Sequence, residues 1–435
     1  MMRTRREFLK SAAAAATLAG GAGAPRFSFA QEAGGKTFVK VFMRGGADGL
    51  HLFPKVSDMN YYNARGTIAI EPPNGDSESA VDLGAGLARA MNPNLAALSE
   101  IWDSGRMLVM PACGLPAGNR SHFDAQRWIG NGARSNLIDG YLNRYLQETD
   151  TGSEALRGAV LGKGSMSTEL RGGMTVPVIA NGTGFDIQTD DFCFGSGCAD
   201  NRLTEIMNEI AATEDASFDS IASRARDAQR VTLANIDSVT QAAAGYTTDA
   251  DGLEYDGSPL GRGLQLVAQL LKAEVPLEVA ALDWNIGWDT HTNQTAGGSR
   301  PFTDQSFSYH SGMTAGARNF VTFFRDMGAL LDNVVVLVCT EFGRTVRQSG
   351  TGTDHGDASS WFAFGGPTQG GMADDVANLS EENLNSRRYL PVINDYRDVA
   401  AEIMVRHVGM PEDLISTVFP GQVFTDNGFF TRPTG

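Results

Sequence analysis

Six acidic and imidazole side chains follow apolar runs typical of buried strands, and they are of the kinds that bind divalent metal ions. Asp289 and His291 are two residues apart, so in an extended chain both would point the same way and could bind one ion. Glu341 follows the most apolar run, where a carboxylate is unfavourable unless a cation neutralises it. The candidate metal ligands are Asp48, Asp289, His291, Glu341, Asp354 and His355.

Some of these positions also have a purely structural interpretation. Asp48 belongs to a glycine-rich turn after the first predicted strand and could simply cap that turn. Asp289 and His291 could form a hydrogen-bonded pair that holds no metal. The residue types alone leave both interpretations open, because a carboxylate beside a turn or an imidazole serves either purpose.

Three arginines and one serine lie beside these candidates and could bind or attack an oxyanion. A guanidinium group matches the geometry of phosphate, sulfate or carboxylate. Ser121 precedes a predicted helix over 123–128, and a hydroxyl at a helix N-terminus feels the positive end of the helix dipole. Alternatively, Ser121 and Asp124 only form a capping box. The expected catalytic residues are Ser121, the nucleophile, and the oxyanion-binding Arg44, Arg120 and Arg344.

Carboxylates, imidazoles and arginines in this arrangement predict a divalent metal site that holds an oxyanion. The metal would polarise the ester oxygen and lower the pKa of water or of a serine hydroxyl. The histidines favour zinc, while the oxygen ligands also admit manganese, magnesium or calcium. We therefore expect a metal-dependent hydrolase of phosphate or sulfate esters, with an anionic small molecule or a glycan ester as its substrate.

The order of the predicted elements indicates the fold. Short β-branched runs alternate with helical patterns, which predicts an α/β fold with a largely parallel sheet and helices on its faces. The polar segment at about 137–256 is predicted to be an insertion or cap, with helices over 201–213 and 218–245. The predicted strands are 38–43, 107–112, 176–179, 277–282 and 334–339, and the other predicted helices are 94–102, 261–272 and 315–331.

Composition and cysteine usage exclude several classes of protein. The formal net charge of −16 over 435 residues disfavours a nucleic-acid partner. No apolar run reaches the ~18 residues of a membrane span, so no stable span is expected after signal cleavage. Cys193 and Cys198 could close a small disulfide in an oxidising compartment, with zinc ligation as the alternative. Cys113 and Cys339 end apolar runs and are expected to be buried thiols.

The N-terminus is predicted to be an export signal. The run Thr4-Arg5-Arg6-Glu7-Phe8-Leu9-Lys10 is a twin-arginine pattern, and a weakly apolar stretch rich in Ala and Gly follows it. Small residues at 28–30 predict cleavage after Ala30, which would leave 31–435 as the mature domain. An ordinary amphipathic N-terminal helix is the alternative. We expect the twin-arginine export machinery as a partner and a periplasmic or secreted location in a bacterium.

Beyond the double arginine, five motifs resemble those of a bacterial family of exported proteins of unknown function. That family is placed in the alkaline-phosphatase-like superfamily, with the sulfatases and the cofactor-independent phosphoglycerate mutases. The resemblance implies a mixed, mostly parallel sheet sandwiched by helices, with a metal site at the strand ends. The motifs are Phe42-Met43-Arg44-Gly45-Gly46-Ala47-Asp48-Gly49-Leu50, Arg120-Ser121-His122-Phe123-Asp124-Ala125-Gln126, Trp288-Asp289-Thr290-His291, Glu341-Phe342-Gly343-Arg344-Thr345 and Gly352-Thr353-Asp354-His355-Gly356.

The resemblance also implies roles for single residues, and the sequence departs from the superfamily pattern in places. Asp48 matches the metal aspartate of the first strand, and Ser121 lies near the nucleophile position. The superfamily commonly has Asp-His after the strand 334–339, whereas Glu341 and Phe342 follow it here. The absence of a C-x-P-x-R motif excludes a formylglycine sulfatase. The alternative function is a degenerate, non-catalytic relative that binds an envelope glycan or a co-exported partner protein.

Overall fold

A mixed sheet of nine strands forms the centre of the structure, a computed structural model that describes residues 35–116, 119–134, 137–151, 156–181, 235–236, 238–295, 302 and 304–431. The strands are β1 (Thr37–Met43), β2 (Met107–Gly114), β3 (Gly158–Leu161), β4 (Val178–Ile179), β5 (Val279–Asp283), β6 (Val334–Thr340), β7 (Ser359–Phe364), β8 (Gly371–Met372) and β9 (Asn394–Asp395). Their order is β4-β3-β5-β1-β6-β7-β2-β8, and β9 pairs with β2.

Most strand pairs in this sheet are parallel. Among the described strands, β7 alone runs antiparallel to its neighbours, β6 and β2. Phe42 on β1 is in register with Asp283 on β5 and Cys339 on β6, so these three strands end level with one another. The loops that carry the candidate site residues therefore leave the sheet at one edge, where open α/β sheets place their ligands.

Helices cover both faces of the sheet, which explains why its central strands read as continuous apolar runs. Val39 and Val41 of β1 face one hydrophobic cluster, and Phe38 and Phe42 face the other. The helices are α1 (Gly49–Leu52), α2 (Met59–Arg65), α3 (Ser99–Asp103), α4 (His122–Asn131), α5 (Tyr141–Glu148), α6 (Pro259–Lys272), α7 (Ser308–Met327), α8 (Tyr396–Glu402) and α9 (Ile415–Val418). The expected fold class, a mixed, mostly parallel sheet between helices, is confirmed.

The observed helix agrees closely with the predicted one at the start of α6, whereas two other helices differ from their predicted bounds. Ser258 caps α6 by accepting a hydrogen bond from the amide of Gly261, close to the predicted start. The helix predicted over 94–102 is instead a 3₁₀ helix, Pro93–Leu98, followed by α3. The helix predicted over 315–331 is α7, which begins at Ser308 and ends before Gly328, a residue with a φ of 48°.

The segment predicted to be an insertion contributes to the central sheet in its first part. Strand β3 pairs with β5, and β4 pairs with β3, so residues 158–161 and 178–179 extend the parallel sheet by two strands. The helix predicted over 201–213 lies outside the described residues. Of the helix predicted over 218–245, residues 235–236 and 238–244 are described, and they are helical.

Cysteines and membrane spans complete the description of the fold. Cys113 and Cys339 are buried free thiols, as expected. Burial raises the pKa of Cys339 to about 12, so this thiol stays protonated and inert. Cys193 and Cys198 lie outside the described residues, as does the predicted export signal. A membrane-spanning helix is not found in the part of the chain that the structure describes.

Candidate metal centre

Three imidazoles and one carboxylate converge at the edge where the parallel strands end, and we call them the donor cluster: His122, Asp289, His291 and His355. One ligand atom from each of His122, Asp289 and His355 lies within 4.8 Å of the others. Nε2 of His291 lies 3.0 Å from Nε2 of His355 and 3.2 Å from Oδ1 of Asp289. Donor atoms of His122, Asp289 and His355, from three separate segments of the chain, therefore face one another, and Nε2 of His291 lies beside two of them.

Elements that follow the strands hold these side chains in place. His122 is the first residue of α4, which begins because Ser121 is extended, with φ −91° and ψ 120°. Asp289 and His291 lie on the loop after β5, which the buried Trp288 anchors through a hydrogen bond from its Nε1 to the carbonyl of Trp284. Gly45 allows the β1 loop to approach this segment, since a Cβ there would lie 2.8 Å from the amide nitrogen of Asp289.

Hydrogen bonds at Nδ1 aim two of the imidazoles into the cluster. Nδ1 of His122 lies 2.8 Å from Oε1 of Glu341, and Nδ1 of His355 lies 2.9 Å from the carbonyl oxygen of Arg120. Both oxygens accept, so Nδ1 carries the proton in each ring and Nε2 presents its lone pair to the cluster. Nε2 of His122 is buried and has no hydrogen-bond partner in the part of the chain that the structure describes.

The spacing of the donor atoms fits a small tetrahedral cation. Ligand atoms about 2.1 Å from a tetrahedral zinc lie about 3.4 Å from one another. Nε2 of His355 lies 3.1 Å from Oδ1 of Asp289, and Nε2 of His122 lies 3.4 Å from Oδ2 of Asp289. An imidazole-rich set with one carboxylate is also the ligand chemistry that zinc prefers. The residues present therefore fit a zinc-like ion.

Charged neighbours keep the Asp289 carboxylate ionised. Burial alone would raise the pKa of Asp289, but Arg344, His355 and His291 together hold it below its usual value. Nη1 of the fully buried Arg344 donates to Oδ1 of Asp289 over 2.8 Å. Nε and Nη2 of Arg344 are buried without a hydrogen-bond partner. Asp289 is thus an anionic donor beside three imidazoles.

Glu341 lies behind His122 and orients it. Its Oε1 accepts hydrogen bonds from the amide of Gly45 over 2.9 Å and from Nε2 of Gln126 over 2.8 Å, and its Oε2 accepts from Oγ1 of Thr340 over 3.0 Å. Burial raises the pKa of Glu341, yet these donors and His122 keep it below its usual value. With both oxygens engaged, Glu341 is placed as the orienting carboxylate of a histidine donor, which differs from its predicted role as a ligand.

Asp48 is not brought into the donor cluster. It is almost fully buried, and both of its oxygens bind the guanidinium of Arg65. Oδ2 also accepts from Nε2 of Gln294 over 2.7 Å, and Oδ1 caps α1 at the amide of Leu50. Burial alone would raise the pKa of Asp48, but its neighbours, Arg65 above all, hold that pKa below its usual value. In this structure Asp48 caps α1, and Arg65 already neutralises its charge.

Asp354 and the predicted arginines surround the cluster without converging on it. Oδ1 of Asp354 lies 3.4 Å from Nδ1 of His291, and Oδ2 pairs with Arg388. Each predicted oxyanion-binding arginine is paired with a carboxylate. These pairs are Arg44 with Asp283, Arg120 with Asp357 and Arg344 with Asp289.

Ser121 is exposed beside the cluster, and its side chain is not used as a helix cap. Its backbone occupies the N-cap position of α4, but no capping hydrogen bond from its hydroxyl is present. Asp124, the other residue of the predicted capping box, pairs instead with Arg127 over 2.8 Å. The hydroxyl is therefore available for other chemistry at the N-terminus of α4.

His122 is the donor that sequence reasoning missed. The residues around His122 instead suggested a capping box that begins at its neighbour Ser121. The available signal was its position, since His122 opens a helix that follows a strand, as the other candidates follow strands. Only the buried partner Glu341, distant in sequence, shows which way the ring faces.

The chain belongs to the family described as "Protein of unknown function (DUF1501)". The model of that family matches residues 105–418. The matched segment contains all four members of the donor cluster together with Ser121, whereas Asp48 lies before it. No curated protein matches this sequence.

Two solved structures are similar in fold. One is the lipoteichoic acid synthase LtaP from Listeria monocytogenes, at 9% identity and a TM-score of 0.40, over 90% of this chain and 75% of that chain. The other is the C-terminal periplasmic domain of EcEptC from Escherichia coli in complex with Zn, at 9% identity and a TM-score of 0.35, over 91% of this chain and 90% of that chain. Neither likeness assigns an activity to this chain.

Proposed function

We propose that this protein is an exported, metal-dependent hydrolase of phosphate or sulfate esters. The observation that carries the proposal is the convergence of Asp289 with the Nε2 atoms of His122, His291 and His355. Their separations of 3.0–3.4 Å suit one divalent cation. Three imidazoles favour zinc over manganese, magnesium and calcium, which suit oxygen ligands.

In this proposal Ser121 is the nucleophile. Its exposed hydroxyl lies next to the donor His122 and at the N-terminus of α4, where the helix dipole stabilises negative charge. A bound metal would polarise the ester and lower the pKa of the hydroxyl. Oγ of Ser121 gives its proton to solvent and bonds to phosphorus or sulfur while the bond to the ester oxygen breaks. The departing alkoxide takes a proton from water. A second water then bonds to phosphorus or sulfur and gives a proton to solvent, the bond to Oγ of Ser121 breaks, the phosphate or sulfate leaves, and Oγ takes a proton back from solvent.

The remaining residues do not react; they fix the protonation and the orientation of the donor side chains. Glu341 keeps a proton on Nδ1 of His122, and the Arg120 carbonyl keeps one on Nδ1 of His355. The hydrogen bond from His122 to Glu341 raises the pKa of the imidazole, which makes it a stronger donor. Arg344 fixes the Asp289 carboxylate. These contacts preorganise the cluster before any ligand arrives.

Hydrolysis of p-nitrophenyl phosphate and p-nitrophenyl sulfate tests this function. We expect the native protein to hydrolyse one of the two, and chelation or Ser121→Ala to abolish that activity. Ser416→Ala, a change of an exposed serine on α9, is the matched control and should leave the rate unchanged. Hydrolysis that survives Ser121→Ala would remove the serine mechanism.

No turnover of either ester would favour the alternative function, a non-catalytic protein that binds an envelope glycan or a co-exported partner. One observation supports this alternative. Arg44, Arg120 and Arg344 are each paired with a carboxylate of the chain rather than left open for an oxyanion. Export itself is tested by the fate of the full chain with Arg5→Lys and Arg6→Lys together. We expect this variant to stay in the cytoplasm, and unchanged secretion would exclude the twin-arginine route.

A further inference from the structure

Two polar cavities lie beside the donor cluster, separated by the hairpin of residues 385–389. The first, which we call the arginine cavity, has a volume of about 630 Å³ and is lined by Arg347, Arg387 and Arg388. The second, the tyrosine cavity, has a volume of about 340 Å³ and is lined by Arg120 and Tyr389. Ser386 at the hairpin tip lines both cavities.

One residue that lines each cavity also contacts a member of the donor cluster. Asp354 lines the arginine cavity, and its Oδ1 lies 3.4 Å from Nδ1 of His291. Arg120 lines the tyrosine cavity, and its carbonyl oxygen lies 2.9 Å from Nδ1 of His355. A molecule that spans the hairpin would therefore pass both flanks of the cluster.

The arginine cavity concentrates positive charge in an acidic protein. Three arginines line it against two carboxylates, Asp354 and Glu381, whereas the whole chain has a net charge of −16. Arg347 and Arg387 share Glu381, at 3.6 Å and 2.5 Å. Their side chains are 69% and 79% exposed, and although Nε and Nη2 of Arg387 both donate to Glu381, each guanidinium keeps donors that face solvent.

The rest of the lining suits hydroxyl groups. Asn63, Ser349 and Ser386 present amides and hydroxyls, which both donate and accept hydrogen bonds. In the tyrosine cavity the Arg120 guanidinium lies 3.9 Å from the centre of the Tyr389 ring and pairs with the buried Asp357. Hydroxyl-rich rings that carry sulfate or phosphate match this mixture of donors, acceptors and guanidinium groups.

The hairpin itself is held in an unusual conformation. Ser386 and Arg387 have φ values of 51° and 57°, the left-handed region that non-glycine residues rarely adopt. The amide of Arg388 closes the turn on the carbonyl of Asn385 over 3.1 Å. This turn projects Ser386 between the cavities and directs the arginines to one side. Strained turns of this kind are concentrated at ligand-binding sites.

We propose that the two cavities bind successive sugar units of a sulfated or phosphorylated glycan, one ester of which reaches the donor cluster. This inference rests on the proposed hydrolase function for the role of that ester, but binding in the cavities does not require turnover. The arginine cavity would hold an anionic substituent, and the tyrosine cavity would hold a neighbouring ring.

Titration calorimetry of the full protein with short dextran sulfate tests the proposal. We expect binding, at least about tenfold tighter than to unsulfated dextran of equal length or to polyglutamate of equal charge. A phosphorylated dextran arm tells sulfate from phosphate as the preferred substituent. Arg347→Gln combined with Arg387→Gln should weaken dextran sulfate binding by about tenfold.

The matched control is Arg325→Gln, because Arg325 is a partly exposed arginine that is also paired with a glutamate, Glu100, but lines neither cavity. It should bind dextran sulfate as the native protein does. The arginine cavity variant changes two exposed side chains, so its folding is checked by thermal melting. Equal binding by that variant, equal affinity for polyglutamate, or no binding of dextran sulfate would each overturn the proposal. Turnover of p-nitrophenyl esters is measured separately, so the binding proposal and the hydrolase proposal can each fail while the other stands.

Discussion

Asp48 and Asp289 both follow parallel strands at the same edge of one sheet, yet their surroundings are opposite. The Asp48 side chain is 1% exposed and meets Arg65, Gln294 and the capped amide of Leu50. The Asp289 side chain is 45% exposed and meets one arginine together with imidazoles whose Nε2 atoms face it. Arg65 closes off the first carboxylate, whereas the second, although paired with the buried Arg344, stays half exposed among imidazole nitrogens.

The difference shows that position at a strand end does not by itself make a metal ligand. Arg65, the last residue of α2, neutralises Asp48 completely, so a metal there would only add unneeded charge. Around Asp289 the imidazoles add nitrogen donors, and Nε2 of His122 has no hydrogen-bond partner among the described residues. The chemistry of the neighbours decides between a structural ion pair and a metal site.

Removing a donor tests this contrast with the largest effect. We expect His122→Ala and Asp289→Asn to lose the bound metal almost completely, because each removes one of the three donors that converge on one point. Asp48→Asn, measured on the folded fraction, should keep the native metal content. Metal per chain is measured by elemental analysis after gel filtration. Loss of metal in Asp48→Asn alone would reverse the assignment of the two aspartates.

Stability should respond in the opposite sense. Asp48→Asn leaves Arg65 buried without its counter-ion and is expected to lower the free energy of unfolding by about 3–5 kcal/mol. Asp289→Asn in the metal-free protein weakens the counter-ion of the buried Arg344, but the carboxylate itself is 45% exposed, so the loss should be smaller, about 1–3 kcal/mol. Urea denaturation of both variants checks this. Similar losses for the two would show that Asp48 is not the closed pair described here.

Glu341 tests whether orientation of His122 matters for metal binding. Glu341→Gln keeps the shape but removes the charge that holds the proton on Nδ1 of His122, so metal affinity should fall by about 10–100-fold. Asp283→Asn is the matched control, since Asp283 is a carboxylate that pairs with Arg44 and Lys163 instead of a donor histidine. Chelator competition gives both affinities. A direct ligand role for Glu341 would instead appear as near-complete loss of metal.

Asp375 is a second closed carboxylate and predicts a pH dependence. Burial would raise its pKa, but Arg89 and Lys55, each 2.8 Å away, lower the pKa to about 2. The folded pKa is below the unfolded one, so this contribution is present above about pH 4 and is lost as the pH falls to about 2. Native protein should exceed Asp375→Asn in unfolding free energy by about 2 kcal/mol at pH 6, with the gap closing near pH 2. A constant gap across this range would contradict the pKa assignment.

Part of this structure could be predicted from the sequence because it depends on local pattern. The apolar runs of β1, β5 and β6 located the strand ends, which placed Asp289, His291 and His355 at one edge. The pairing of Asp48 with Arg65 could not be foreseen, because it depends on where α2 lies in the folded chain. The role of His122 likewise depends on Glu341, which is distant in sequence. Strand β4 was predicted within 176–179, whereas the short β3 was hidden in a segment whose polar composition favoured an insertion.

The most direct test of the account is a crystal structure of the native, cell-folded protein with anomalous scattering measured across the zinc absorption edge. We predict about one metal ion per chain, bound by Nε2 of His122 and His355 and by the Asp289 carboxylate, with Asp48 still on Arg65. Protein that crystallises with no ion between these residues, or with an ion held by Asp48 instead, would contradict the central claim.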